Sequence, residues 1–154
     1  MDRRRLLALT AGSLAATALP AWAAPELSPL PGAPPPIGEA ERRARLAKAQ
    51  RLMREQGLSA LLVEPGASLV YFTGVRWGRS ERLTAAVIPV EGDILVVTPF
   101  FEEPSVRETL AVPAELRTWE EHEDPLALVA GWLRERKLDA GAIGVEETGR
   151  FFAI

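Results

Sequence analysis

The chain contains no cysteine. Disulfides, thiolate metal sites and cysteine nucleophiles are therefore all excluded. Histidine is nearly missing as well: His122 is the only one in 154 residues, which sharply limits imidazole ligation and acid–base chemistry near neutral pH. There is no excess of basic charge either. The net charge of −3 argues against a nucleic-acid partner, because phosphate binding rests on a basic patch. The apolar stretch near the N-terminus, Ala8 to Leu19, falls short of the roughly 20 residues that a membrane-spanning helix needs.

The familiar catalytic signatures are missing too. No phosphate-binding loop occurs, and neither Gly74 with Gly78 nor Gly141 with Gly144 builds a dinucleotide fingerprint. Gly66-Ala67-Ser68-Leu69-Val70 lacks the second glycine of a nucleophile elbow, so a serine hydrolase relying on His122 is poorly supported. Glu146-Glu147 would be an acid–base pair only with a partner that the sequence does not show. His122 lies in Glu120-Glu121-His122-Glu123-Asp124, the one place for a histidine–carboxylate metal site. Those acids also stand just before a helix N-terminus, where the helix dipole favours them, and that structural reading is preferred.

Proline is abundant and unevenly spread. Six of the thirteen prolines, Pro25, Pro29, Pro31, Pro34, Pro35 and Pro36, crowd residues 24–38, which read as an extended tether. Upstream, Arg3-Arg4-Arg5-Leu6-Leu7 precedes a modest apolar run, a helix-breaking Pro20 and an Ala21-Trp22-Ala23 cleavage pattern. The Arg3-Arg4 pair resembles a twin-arginine signal with cleavage after Ala23, and so implies export to the bacterial periplasm by the twin-arginine translocase. An ordinary secretory signal or an uncleaved anchor is the alternative. Removing residues 1–23 takes away three arginines and one aspartate, moving the net charge from −3 to −5. No stable membrane span is expected after cleavage.

Residues 39–154 carry the folded pattern. Glu39 to Gln56 is rich in alanine, leucine and long charged residues, and Gly57 stands where a C-terminal cap belongs. Leu46, Ala49, Leu52 and Met53 form its apolar stripe, while Arg42, Arg43, Arg45, Lys48, Arg51 and Arg54 are expected on a solvated outer face. Leu58–Val63 is a buried-strand pattern closed by Pro65-Gly66. Leu69-Val70-Tyr71-Phe72-Thr73-Gly74-Val75 follows, an aromatic and β-branched run with strand-like composition, stopped by glycine. Leu83–Val90 and Asp93–Thr98 flank Glu91-Gly92 as a hairpin with Pro89 at a strand end. Phe100 to Leu110 reads as a short helix and Leu116–Trp119 as a weak strand. Asp124-Pro125 opens a helix with its stripe at Leu126, Val129, Ala130 and Leu133. Ala142–Glu146 is a final strand, and Thr148 onward reads as a helix start. In that helix Phe151, Phe152 and Ile154 would lack partners, an ending unlike a finished domain edge. The order predicts an α/β domain, a mixed sheet with helices on both faces.

Binding residues favour connections between strands. The loop after Gly74 offers Trp77, Arg79 and Arg82, an aromatic face with two guanidinium forks suited to carboxylates. The alternative is a surface loop whose tryptophan packs under a neighbour and whose arginines pair with Glu81 or Glu91. A stand-alone exported module binding a ligand or protein through this loop is a second functional reading.

Taken in order, the helix running into Leu58-Ser59-Ala60-Leu61-Leu62-Val63, then Leu69 to Gly74, resembles the N-terminal domain of the creatinase/prolidase/aminopeptidase P family. The hairpin, Trp119, the Asp124-Pro125 helix and Ile143-Gly144-Val145-Glu146 fall where that pattern has them. An asparagine that often precedes the tyrosine is missing, with Ser68 or Leu69 in that region. The resemblance implies the domain's ribonuclease H-like motif and a role in dimerisation and in limiting access to a neighbouring active site. Tyr71, Trp77, Arg79 and Arg82 are then the positions expected to face that site. In the family the chemistry belongs to a second, C-terminal domain, which holds two divalent metals on two Asp, one His and two Glu, although creatinases do without metal. The resemblance thus implies that this chain is a truncated member, without cofactor and without peptidase activity by itself.

Overall fold

The structure is a computed structural model that describes residues 34–147 together with Gly32, Gly149 and Arg150. The chain divides into two compact units, Met1–Pro35 and Pro36–Ile154, and every element below belongs to the second. The expected signal at Arg3 and Arg4 and its cleavage point after Ala23 lie outside the described residues.

Helix α1 spans Glu39–Gln56 and ends at Gly57, whose φ of 70° is the left-handed conformation that a helix C-cap requires. That one-residue turn sends the chain straight into strand β1, Leu58–Val63. Strands β2 (Ala85–Pro89) and β3 (Ile94–Pro99) form the expected antiparallel hairpin, Ala86 opposite Val96. A single 3-10 turn, Phe100–Glu102, leads into α3, Glu103–Thr109. Strand β4 (Ala114–Trp119) pairs parallel with β3, and α4 (Pro125–Glu135) crosses to β5 (Ala142–Val145), which pairs parallel with β1. Sheet order is β4-β3-β2-β1-β5. Only β2 runs against the rest, so the sheet is mixed, as expected.

Side chains alternate across the sheet with period two. Val63, Ala86, Ile88, Ile94 and Val96 face α1 and α3 through Leu46, Met53 and Val106. Ala60, Leu62, Ala85, Val87, Leu95 and Val97 face α4 through Val129, Trp132 and Leu133. Helices therefore cover both faces. Asp124 caps α4 by accepting from the Leu126 backbone N–H at 2.8 Å, an arrangement that contributes about 1 kcal/mol.

Three local expectations need correction. The Leu69–Val75 run is neither extended nor irregular: Ala67–Thr73 is a short helix, α2, ended by Gly74 at φ 86°. Tertiary packing overrides strand-like composition here, with Leu69 and Thr73 buried. Leu52 of the α1 stripe stays 38% exposed, while Leu46 and Met53 carry the burial. The basic residues of α1 are also not all solvated. Arg42 donates to the Val70 and Tyr71 carbonyls and Arg45 to that of Tyr71, adding side-chain donors at the end of α2, where the Val70 carbonyl also accepts from the Gly74 N–H. Arg54 similarly holds the Val90 carbonyl at 2.9 Å. For the helix expected from Thr148, Gly149 and Arg150 are described and are not helical, and the remainder lies outside the described residues.

Beside α4, Glu115 accepts from the Trp132 indole at 2.8 Å, from Arg136 at 2.9 Å and from Arg117 at 2.6 Å. Arg117 also forks onto Glu135. Burial pushes the Glu115 carboxyl up, but these donors outweigh it and hold its pKa at about 2.

Candidate functional site

Since β1, β3, β4 and β5 run in the same direction, their carboxyl ends share one edge of the sheet. Ligand sites of open α/β sheets gather outside such an edge. The connection 75–84 enters β2 from this side. Glu64 follows β1, Phe100 and Phe101 follow β3, the Glu120–Glu123 loop follows β4 and Glu146 follows β5.

Arg79 and Arg82 are brought to this edge. The Arg79 Nε donates to the Pro65 carbonyl at 3.1 Å, tying the loop to the turn after β1. Arg82 pairs with Glu81 at 2.6 Å and with Glu121 at 2.8 Å, and its guanidinium lies 5.4 Å from the centre of the Phe101 ring. The hydrogen bond that Arg82 donates to Glu121 leads the effects that raise the Arg82 pKa, so this residue is a fixed cation. Its fork is occupied by the protein's own carboxylates. An incoming carboxylate would have to displace them. Trp77 is half-buried and packs against the α1-facing core, which matches the packing alternative for this side chain. Tyr71 is engaged with α1 instead: its ring lies 4.1 Å from the Arg45 guanidinium and is 45% exposed.

A clasp holds the base of the loop. Glu64 is 2% exposed, and an ionised carboxylate at that depth requires compensation. Arg150 supplies it, donating from its backbone N–H at 2.8 Å and from Nε at 2.5 Å. The same guanidinium reaches the Ser80 carbonyl. The Glu64 backbone N–H donates to Glu146 at 3.1 Å. The ends of β1 and β5 and the 76–82 loop are thereby fastened together.

Sequence reasoning missed two residues at this edge. Phe100 and Phe101 are 55% and 53% exposed, held there by the 3-10 turn. Glu102 of that turn accepts from Thr84 at 3.2 Å, and Thr84 shares a buried 2.9 Å hydrogen bond with Thr98. Their signal was a Phe-Phe pair at the very start of a short helix, where the core-facing stripe belongs to Val106 further on.

Metal binding finds no support in these residues. His122 is exposed in a loop that satisfies itself, the Glu120 backbone N–H donating to Glu123 at 2.8 Å. Among the described residues no three histidine, aspartate or glutamate side chains converge in a way that could hold a metal ion. A paired metal centre does not fit here. No described helix is long and apolar enough to cross a membrane.

The family model of the creatinase/prolidase N-terminal domain matches residues 45–152. The chain belongs to that family. A probable dipeptidase PepE of Mycobacterium tuberculosis is 37% identical over 91 residues, covering 58% of this chain and 24% of the relative. An uncharacterized peptidase of Schizosaccharomyces pombe is 34% identical over 128 residues, covering 68% of this chain and 28% of the relative. The creatinase/prolidase N-terminal domain chain thus spans about a quarter of the length of these curated relatives. Among solved structures, dipeptidase PepE from Mycobacterium ulcerans superposes with a TM-score of 0.65 at 30% identity, covering 75% of this chain and 31% of that one. The N-terminal domain of an Xaa-Pro dipeptidase from Lactobacillus brevis superposes with a TM-score of 0.64 over 70% of this chain and 81% of that one. At 20% identity the latter speaks for the fold alone.

Proposed function

We propose that this chain is the accessory N-terminal domain of an exported Xaa-Pro peptidase-like metalloenzyme, serving dimerisation and restricting substrate access, and that it hydrolyses no peptide alone. The observation that carries the reading is the carboxyl edge of the sheet. There the clasped 76–82 loop and exposed Phe100 and Phe101 make an aromatic and charged wall in which, among the described residues, no three His, Asp or Glu side chains converge to hold a metal ion. Such a wall suits an overhang that selects short substrates for an active site on another domain. Arg79 and Arg82 would stiffen the overhang through Pro65 and Glu121, Trp77 would anchor it on the core, and the two phenylalanines would supply its surface. Tyr71 would flank it.

The metal centre would belong to a further domain, with the two Asp, one His and two Glu of the family. Export would follow the twin-arginine route from Arg3 and Arg4, with cleavage after Ala23. Reading the coding DNA past the Ile154 codon tests the proposal: that ligand set should appear in one of the frames. If none encodes it, the accessory-domain reading fails. In the encoded enzyme, Phe100→Ala and Phe101→Ala should relax the limit on peptide length while turnover of dipeptides persists. Unchanged length selectivity would remove the overhang role.

A further inference from the structure

Strand β4 forms one rim of the sheet, with β3 on one side and, among the described residues, no strand on the other. At six residues it has the usual strand length. Its pairing with β3 runs from Ala114 to Trp119 without a bulge, and it contains neither proline nor lysine. Short length, bulges, proline and lysine are the usual means by which a sheet edge avoids pairing with another chain. Strand β4 uses none of them. The opposite rim, β5, is four residues long and carries no charged side chain, so nothing along it would select a register.

Alternate side chains of β4 lie on opposite faces. Ala114 and Leu116 pack with the α1-facing core and remain partly exposed. Glu115 and Arg117 lie on the α4 side, where they bond Trp132, Glu135 and Arg136. Glu115, Arg117, Glu135 and Arg136 are together neutral, so two such clusters side by side bring no net repulsion. The Arg117 Nη1 and Nη2 each give one bond to Glu135. Each nitrogen carries two N–H groups, so the fork keeps one on each for a further carboxylate.

Backbone groups of successive residues point to opposite edges of a strand, so antiparallel copies pair only with residues of like parity opposite each other. A two-fold pairing of β4 with itself must then centre on one residue. Centred on Glu115 it sets glutamate against glutamate, and centred on Arg117 it sets arginine against arginine. Like charges directly opposite are destabilising. Centred on Leu116, it sets Glu115 of each copy against Arg117 of the other and joins the strands over residues 114–118. We propose that β4 docks a second copy of this chain in that register, merging the two sheets across a two-fold axis. The pairing gives the dimerisation proposed above its surface and rests on that proposal.

The absence of cysteine permits a test of register in the full chain. Residues that meet at the axis have Cα atoms about 4.5–5.5 Å apart, within disulfide reach. Under mild oxidation Leu116→Cys should form a disulfide-linked dimer at least tenfold faster than Thr118→Cys, whose two copies stand four residues apart along the paired strands. The unmodified chain should sediment at about twice its 16.7 kDa. Glu115→Arg sets arginine against arginine and Arg117→Glu sets glutamate against glutamate, so each alone should sediment as a monomer. An equal mixture of the two restores opposite charges and should recover dimers. Far-UV circular dichroism reports whether either charge variant has lost its fold. In that case the cysteine variants, which leave the charge cluster intact, decide. A monomeric unmodified chain, or equal linking rates at 116 and 118, would overturn the proposal. A dimer with equal linking rates would leave dimerisation standing on another surface, and the overhang role is judged separately by peptide-length selectivity.

Discussion

Replacing Gly74 by alanine adds a methyl group where two separate constraints forbid it. The residue sits at φ 86°, ending α2 with its backbone N–H on the Val70 carbonyl at 3.0 Å. An L side chain in that left-handed region costs about 1–2 kcal/mol. The added Cβ would also stand 2.7 Å from the Ala111 Cβ and 3.0 Å from the Thr109 carbonyl oxygen. Neither neighbour is the end of a flexible side chain, and Ala111 is tied to α2 by its backbone N–H on the Thr73 carbonyl at 2.8 Å. Overpacking of this kind costs about 1–3 kcal/mol. Gly74→Ala should therefore lose about 2–5 kcal/mol, a large part of the 5–15 kcal/mol typical of a domain. Urea unfolding followed by tryptophan fluorescence measures it. The two constraints separate in a double-mutant cycle with Ala111→Gly, which removes the 2.7 Å contact and leaves the backbone strain. Coupling of about 1 kcal/mol in favour of the double variant is expected. A loss below about 0.5 kcal/mol for Gly74→Ala would refute the reasoning, since that is the range of a surface change. Zero coupling would refute the steric half.

Other expectations follow from the same geometry. The Glu115 carboxyl has a folded pKa of about 2, below the ordinary 4.5, so its stabilisation is complete above pH 4.5 and is lost as pH falls toward 2. Discounted for a side chain 32% exposed, the effect is about 1–2 kcal/mol. The stability difference between wild type and Glu115→Gln should shrink by somewhat more than half that amount, about 1 kcal/mol, between pH 6 and pH 3, with the rest lost below pH 3, measured by urea midpoints. Glu64→Gln removes the buried carboxylate that the Arg150 guanidinium, itself only 17% exposed, pairs with, and should cost about 2–3 kcal/mol. A cost under about 1 kcal/mol would mean that water already compensates the pair. Arg42→Ala removes one of the two donors on each of the Val70 and Tyr71 carbonyls, leaving the Gly74 N–H and Arg45 in place, and should cost about 0.5–1.5 kcal/mol, with amide exchange in α2 accelerating before that of the sheet.

Local rules carried much of the fold. The hairpin was legible because Glu91-Gly92 separates two apolar runs. The start of α4 was legible from Asp124-Pro125, and the C-cap of α1 from Gly57. Helix α2 was not, because seven residues with Val70, Tyr71 and Phe72 satisfy strand composition, and helix is selected only once Leu69 and Thr73 meet the core. Gly74 reads as a stop in the sequence pattern, and its left-handed φ is the helical reason for it. The candidate loop was located from its position between strands, yet its wiring was invisible. Arg150 and Glu64 lie 86 residues apart, and Arg82 meets Glu121 rather than Glu91. Long-range charge pairing of that kind leaves no periodicity to read. Phe100 and Phe101 were absorbed into a helix whose burial falls on Val106.

The proposed role of this chain is to shape access to chemistry performed on another domain. Hydrolysis of Xaa-Pro dipeptides by the purified chain, supplied in turn with manganese, cobalt and zinc, tests it most directly. The account predicts release of proline no faster than in the protein-free blank under every metal. Hydrolysis that scales with chain concentration and disappears in His122→Ala would contradict it.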